Sequence, residues 1–230
     1  MTKPTDAPPR QGWLAQGEAK EIIDVSPLVS ERTAVFPGDV AFRRRVSMGF
    51  DQGHHLALSD VTTTLHIGAH ADAPAHFGAR GQTIDQRPLV RYFGLAQVVE
   101  VALPRGARIL PKDVEGVLGS AGKVDAPRIL FKTRSFPDPD RWNDDFNALS
   151  PELVHWLADR GVVTVGIDTP SVDPADSKAL ESHAAILERD LANLEGLVLE
   201  AAEPGLYILS ALPLRLSGAD AAPVRAVLLR

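Results

Sequence analysis

Cysteine is absent from this 230-residue chain. That excludes disulfides, thiolate zinc sites, iron–sulfur clusters and cysteine nucleophiles together, and it agrees with a cytoplasmic protein. Long apolar runs are missing too. None approaches the roughly 18 residues that cross a bilayer, so no membrane partner is expected. The segment Met1–Lys20, with Pro4, Pro8, Pro9, Gly12 and Gly17, lacks the apolar stretch of a signal peptide. It reads as a flexible leader before one domain spanning residues 21–230. A basic excess is lacking: 24 Lys and Arg stand against 30 Asp and Glu, a net charge of −6, and Arg43-Arg44-Arg45 is the only basic triplet. A phosphate-binding surface needs such an excess, so nucleic acid is not an expected partner. No GxGxxG or Walker loop opens a helix, which argues against a phosphate-cradling nucleotide site.

What is present is an ordinary globular composition, 44% hydrophobic and 23% charged, with 18 glycines and 18 prolines. Short strands are expected at Glu21–Val25, Phe42–Phe50, between Leu56 and Leu65, at Gln97–Ala102, Arg128–Thr133, Val162–Ile167, Leu197–Glu200, Leu206–Leu209 and Val224–Leu229. Phe36-Pro37-Gly38-Asp39 reads as a turn. Helices are expected at Pro111–Leu118, at Ser150–Arg160 and at Ser177–Leu194. In the second, Ser150 caps, Pro151 leads and Leu153, Val154 and Leu157 share a face; in the third, Leu180, Ala184, Leu187 and Leu191 form the stripe. Many short strands with two or three helices describe a β-rich mixed α/β domain, not a doubly wound sheet.

The informative segment is His66-Ile67-Gly68-Ala69-His70-Ala71-Asp72-Ala73-Pro74-Ala75-His76. Imidazole nitrogen and carboxylate oxygen are the ligands that zinc and similar ions accept when thiolate is lacking. Two glycines and a proline between Gly68 and Gly78 predict irregular backbone with a short helical turn. Around that kink His66, His70 and Asp72 can converge on one point. A carboxylate-bearing histidine site usually keeps an open coordination position, which favours catalysis over a structural clamp. Other polar features carry less. Asp168–Asp173 reads as a strand-to-loop turn, His54 and His55 as a loop tip, and His155 as a helix-surface residue. By spacing alone His183 and Glu195 say little.

At these residues the chain resembles the cyclase-like, metal-dependent hydrolase family with its H-x-G-T/A-H-x-D-x-P-x-H signature, and within it the bacterial kynurenine formamidases, or arylformamidases. The likeness runs from Ile22 to Leu229. It includes Ile23–Pro27, Phe36–Asp39, Gly166–Pro174, Ser177-Lys178 and the interval from His183 to Glu195. The resemblance implies a swivelling β/β/α-type domain, a homodimer and two metal ions per subunit. The ions are usually zinc, and manganese accepts the same ligands. It implies that His66, His70 and Asp72 hold one ion, and that Asp72 bridges to a second held by His183 and Glu195. His76 is implied as the catalytic histidine. One departure bears on the substrate: the family's W-P-G-D turn, whose Trp packs on the substrate ring, here carries Phe36, which stacks with less area and no indole N–H.

The implied reaction is hydrolysis of N-formyl-L-kynurenine to L-kynurenine and formate in tryptophan breakdown. Divalent ions lower the pKa of water from 15.7 toward about 7, and a histidine near neutral pKa can carry its proton to the departing amine. The alternatives are a related hydrolase acting on isatin or another cyclic or aryl amide, a two-His-one-carboxylate Fe(II) oxygenase built on His66, His70 and Asp72, and a protein whose metal only clamps a loop.

Overall fold

The computed structural model describes residues 21–118 and 124–230, so the leader expected at residues 1–20 lies outside the described residues. Along the chain run β1 (Ile22–Asp24), β2 (Arg43–Met48), β3 (Leu58–Thr62), β4 (His70–Asp72), α1 (Pro74–Phe77), β5 (Phe93–Glu100), β6 (Arg108–Ile109) and α2 (Pro111–Val114). Then follow β7 (Arg128–Lys132), β8 (Ala148–Leu149), α3 (Pro151–Ala158), β9 (Thr164–Ile167), α4 (Glu181–Glu188), β10 (Ala192–Glu195), β11 (Gly205–Ser210), β12 (Ala221–Pro223) and β13 (Val227–Leu229). Nine strands form one sheet in the order β1-β13-β11-β5-β7-β9-β10-β4-β12. Its centre, β5-β7-β9-β10, is parallel, and antiparallel strands extend it on both sides. This is the β-rich mixed α/β domain expected from the composition of strands and helices.

Side-chain alternation divides the core into two layers. On β7, Ile129 and Phe131 point to one side, packing with Leu153, Val154 and Leu157 of α3 and Ala185 and Ile186 of α4. Leu130 points to the other, joining Ile23, Ala71, Leu194, Tyr207, Ala222 and Leu228. These residues come from both ends of the sheet, so the sheet curls around this second layer. Helix α3 forms as its sequence requires. The Ser150 hydroxyl accepts the Leu153 N–H at 3.1 Å, and Pro151 occupies the first turn.

Five expectations are corrected. The helix expected over Ser177–Leu194 is only α4. Leu180, with φ 48°, and Asp190, with φ 50°, are left-handed and bound it. Its buried face is Ser182, His183, Ala185 and Ile186, while Ala184 and Leu187 are exposed. A hydrophobicity stripe misses a face that buries a polar histidine. The end of that expected helix is instead β10, and Leu197–Glu200 forms no strand: the Leu197 and Val198 N–H groups donate to the Ile167 and Val25 carbonyls at 3.2 and 2.8 Å, and Glu200 begins a turn. The segment taken as irregular contains the strand β4 before its helical turn α1. Of the strand expected at Val224–Leu229 only Val227–Leu229 forms, as β13, and the helix from Pro111 stops at Val114, two residues before Gly116.

One backbone contact links fold and site. Gly196 follows β10 with φ 63°, and a Cβ there would lie 2.1 Å from the carbonyl oxygen of Gly68, itself at φ 55°. Gly196→Ala must therefore displace backbone as well as strain its own φ. We expect it to destabilise the protein by about 2 kcal/mol or more. A thermal melt checks this; an unchanged melting temperature would show that the two loops are not tightly apposed.

Candidate metal centre

Strands β4 and β10 pair antiparallel, with Asp72 opposite Asn193 and His70 opposite Glu195. Ala71 and Leu194 turn into the curled layer, so the period of two sends His70, Asp72, Asn193 and Glu195 to the helix side of the sheet. There α4 brings His183 down from above, and all five side chains are buried. His70 Nε2 lies 3.4 Å from Asp72 Oδ1 and 3.3 Å from Glu195 Oε2. His183 Nε2 lies 3.4 Å from Asp72 Oδ2 and 3.2 Å from Glu195 Oε1. His66, in the loop after β3, places Nδ1 2.8 Å from Asp72 Oδ1. His76, on α1, stacks with His66 at 4.1 Å between ring centroids. Thus the structure brings together His66, His70, Asp72, His76, His183 and Glu195. His54, His55 and His155 lie outside the cluster: the first two sit in the β2–β3 connection and the third on α3.

A second ring of contacts orients these groups, and the sequence pattern had not pointed to it. The His70 Nδ1–H donates to the Gly68 carbonyl at 2.9 Å. His183 Nδ1 is 2.9 Å from Asp173 Oδ2, and His66 Nε2 is 2.9 Å from Asp220 Oδ2. The Asn193 amide donates to Asp72 at 2.8 Å, and the Val172 N–H donates to Glu195 at 2.9 Å. Asp173 was visible only as part of a polar turn, and Asp220, 154 residues from His66, had no local signal at all. Asp168, in the same turn, has a structural task. It accepts the Thr133 and Arg134 N–H groups at 2.8 and 2.9 Å, and burial raises its pKa.

The cluster opens into a cleft of about 420 Å³. Phe36, Phe136 and Trp142 form an aromatic wall, with Phe36 and Trp142 edge to face at 5.0 Å. Among the described residues, Lys178 is the only Lys or Arg that lines this cleft.

Burial by itself would drive every charged group here toward its neutral form. Opposite charges override it. His66 is raised to about 9 by Asp72 and Asp220, and His183 is raised well above the ordinary imidazole range by Asp173, Asp72 and Glu195. His70 is also raised, chiefly by Glu195 and Asp72. Asp72 is held well below the usual carboxylate range by His183 and His66, and Asp173 is lowered to about 2 by His183. Glu195 is lowered by His183 and His70, against burial and the charge of Asp72. In a metal-free protein, protons on imidazole thus supply the positive charge this site demands.

The residues fit a metal ion. His70 Nε2, His183 Nε2 and Asp72 Oδ1 are buried without a hydrogen-bond partner, an arrangement that costs about 1–3 kcal/mol per group unless something satisfies it. The ligand atoms of His70, Asp72 and Glu195 lie within 4.8 Å of one another, as do those of His66, Asp72 and His76, so Asp72 belongs to both sets. Nitrogen and carboxylate donors without sulfur suit zinc and comparable divalent ions.

The electrostatics make a prediction for the metal-free protein. His66 has its pKa raised from 6.5 to about 9 on folding. Its contribution to stability is complete below pH 6.5 and is lost as pH rises through 9. The melting temperature of chelator-treated protein should fall across this window, and zinc added at pH 8 should raise it while releasing protons. A melting temperature that stays level or climbs from pH 6.5 to 9 would refute the charge arrangement described.

Comparison with known proteins agrees with this geometry. The profile of the Cyclase family, described as "Putative cyclase", matches residues 23–174. Kynurenine formamidase of Bordetella petrii is 43% identical over 209 residues, covering 91% of this chain and 98% of that protein. A predicted metal-dependent hydrolase from Bacillus stearothermophilus has a similar structure, with a TM-score of 0.76 at 25% identity over 91% of this chain and 98% of its own. Isatin hydrolase A from Labrenzia aggregata shares the fold, with a TM-score of 0.75 at 19% identity over 91% of this chain and 93% of that one. With the family profile spanning most of the described core and a relative 43% identical along nearly the whole length, the chain belongs to the Cyclase family.

Proposed function

We propose that this chain is a metal-dependent amide hydrolase that converts N-formyl-L-kynurenine and water to L-kynurenine and formate. The observation that carries the reading is the convergence of unpartnered, buried His70 Nε2, His183 Nε2 and Asp72 Oδ1 at the end of an aromatic-walled cleft. The substrate follows from the 43% identity to kynurenine formamidase. It also suits the cleft: Phe36, Phe136 and Trp142 offer faces and edges for an aryl ring, and Lys178 offers a cation for an amino-acid carboxylate. Isatin, which lacks that carboxylate, makes less use of Lys178. A facial-triad iron oxygenase on His66, His70 and Asp72 leaves His183 and Glu195 without a task. A related hydrolase acting on isatin or another aryl amide is the second reading, favoured by Phe36 in place of Trp.

In this reading His66, His70 and Asp72 would hold one zinc ion, and His183 and Glu195, together with Asp72, would hold a second. Bound there, the ions lower the pKa of water and polarise the formyl oxygen. The protein does the rest. Asn193 and the Val172 N–H hold the Asp72 and Glu195 carboxylates in place. His76, half-exposed at the cleft edge, takes the proton of the attacking water. It then gives that proton to the aryl nitrogen as the carbon–nitrogen bond breaks, so kynurenine leaves as a neutral amine and the formyl carbon as formate.

The test is hydrolysis of N-formyl-L-kynurenine by purified protein with metal content measured on the same sample. Turnover should vanish on chelation and return with zinc. His76→Ala should lower kcat by roughly 10²–10⁴-fold with metal retained, whereas Asp72→Ala should lose both ions. Two bound ions with turnover of isatin but not of the formamide would transfer the assignment to the second reading.

A homodimer belongs to the same proposal. Strands β2 and β3 form a hairpin that pairs with no third strand among the described residues, and nearly every residue in it is exposed. An isolated hairpin is marginal in water. Val46 and Val61 share one of its faces and are 40% and 58% exposed, so a second copy that covers them would stabilise the arm. Light scattering should give twice the chain mass, and Val61→Asp should shift the protein toward monomer. A monomeric native protein would overturn this assignment.

A further inference from the structure

Each of the three histidines around Asp72 presents one nitrogen to the cluster and gives the other to a fixed acceptor: the Gly68 carbonyl for His70, Asp173 for His183 and Asp220 for His66. Two of these acceptors serve a single ring. Asp220 differs. The same oxygen, Oδ2, lies 2.9 Å from His66 Nε2 and 3.5 Å from His76 Nδ1. Among the described residues it is the one carboxylate paired with His76. Its position is set by backbone on both sides. The Ala73 N–H donates to the Asp220 carbonyl at 2.8 Å, the Ile84 N–H donates to the Ala219 carbonyl at 2.9 Å, and β12 begins at the next residue, with Ala221 opposite Asp72.

We propose that Asp220 is a positioning residue that ties the metal site to the proton shuttle. By accepting the Nε2–H of His66 it selects the tautomer whose Nδ1 lone pair faces the cluster. By standing beside Nδ1 of His76 it orients that ring and leaves the other nitrogen to the cleft that His76 lines. A shuttle imidazole needs such a third group, because a freely rotating ring spends little time in the geometry for transfer. The inference rests on the hydrolase reading for the role of His76. Its claim about His66 stands on metal binding alone.

The experiment uses Asp220→Ala, Asp220→Asn, Asp220→Glu, His76→Ala and the double variant His76→Ala/Asp220→Ala. Zinc affinity is read by competition with a chromophoric chelator, without substrate, and kcat and KM for N-formyl-L-kynurenine are read at saturating zinc. Asp220→Ala should weaken zinc binding about 10–100-fold and lower kcat about tenfold or more at saturating zinc, with KM little changed. Asp220→Glu should recover part of both. In the His76→Ala background the Asp220 substitution should still weaken zinc binding but lower kcat by a smaller factor than in the wild type, since part of its effect on turnover passes through His76. An equal loss of kcat with and without His76, or zinc affinity untouched by removing the carboxylate, would overturn the proposal. If the alanine variant does not fold, Asp220→Asn, which keeps an oxygen acceptor but loses the charge, should show smaller losses in the same direction. If wild-type protein hydrolyses no formamide, the hydrolase reading falls, and the zinc measurements alone decide the assignment for His66.

Discussion

The antiparallel register of β4 and β10 is the constraint on which the site depends. Asp72 faces Asn193 and His70 faces Glu195 across the pair. Because side chains alternate, two polar side chains from each strand emerge on the same face, and their alanine and leucine neighbours seal the other. A shift of β4 by one residue would turn His70 and Asp72 into the apolar layer, and the same shift of β10 would do this to Asn193 and Glu195. The register is therefore protected by the whole curled layer, and with it the distances among the ligands. Gly196 at the exit of β10 and Gly68 just before β4 lie against each other, and no side chain larger than hydrogen fits at Gly196.

Charge balance is the second constraint. Asp72, Glu195 and Asp173 are buried among three imidazoles. Buried carboxylates are tolerated only with positive partners. Without an ion, protons serve that purpose, which is why the histidines are raised and the acids lowered. An ion would serve it as well, with His70 Nε2, His183 Nε2 and Asp72 Oδ1 all turned to the same enclosed point. The same balance explains the acceptors behind the imidazoles. Each one fixes which nitrogen turns inward, and Asp220 extends the arrangement to a histidine that is not itself enclosed.

Much of the site was legible before any coordinates. Three histidines and an aspartate within eleven residues, with glycine and proline between them, announced metal chemistry, and the family resemblance added His183 and Glu195. The legible parts of the fold were the self-contained ones: Ser150 and Pro151 start α3, and the apolar run of β7 makes a central strand. The errors cluster where function overrides pattern. Helix α4 buries His183 and Ser182 and exposes Leu187, and β10 buries Asn193 and Glu195, so a hydrophobicity count assigns the wrong face to one and the wrong element to the other.

The sequence by itself determined the donor chemistry: nitrogen and oxygen ligands with no sulfur, a glycine-kinked signature that can bend its donors together, and strands and helices enough for a mixed α/β domain. Tertiary structure alone decided which distant residues complete that chemistry. Asp173, Asn193 and Asp220 reach the site through helix packing and strand pairing, and nothing in their local sequence distinguishes them from the other polar residues of turns and strand ends. Their roles arise from position relative to His183, Asp72 and His66, and position across about 150 residues is set by the cooperative packing of the sheet, not by any short segment of chain.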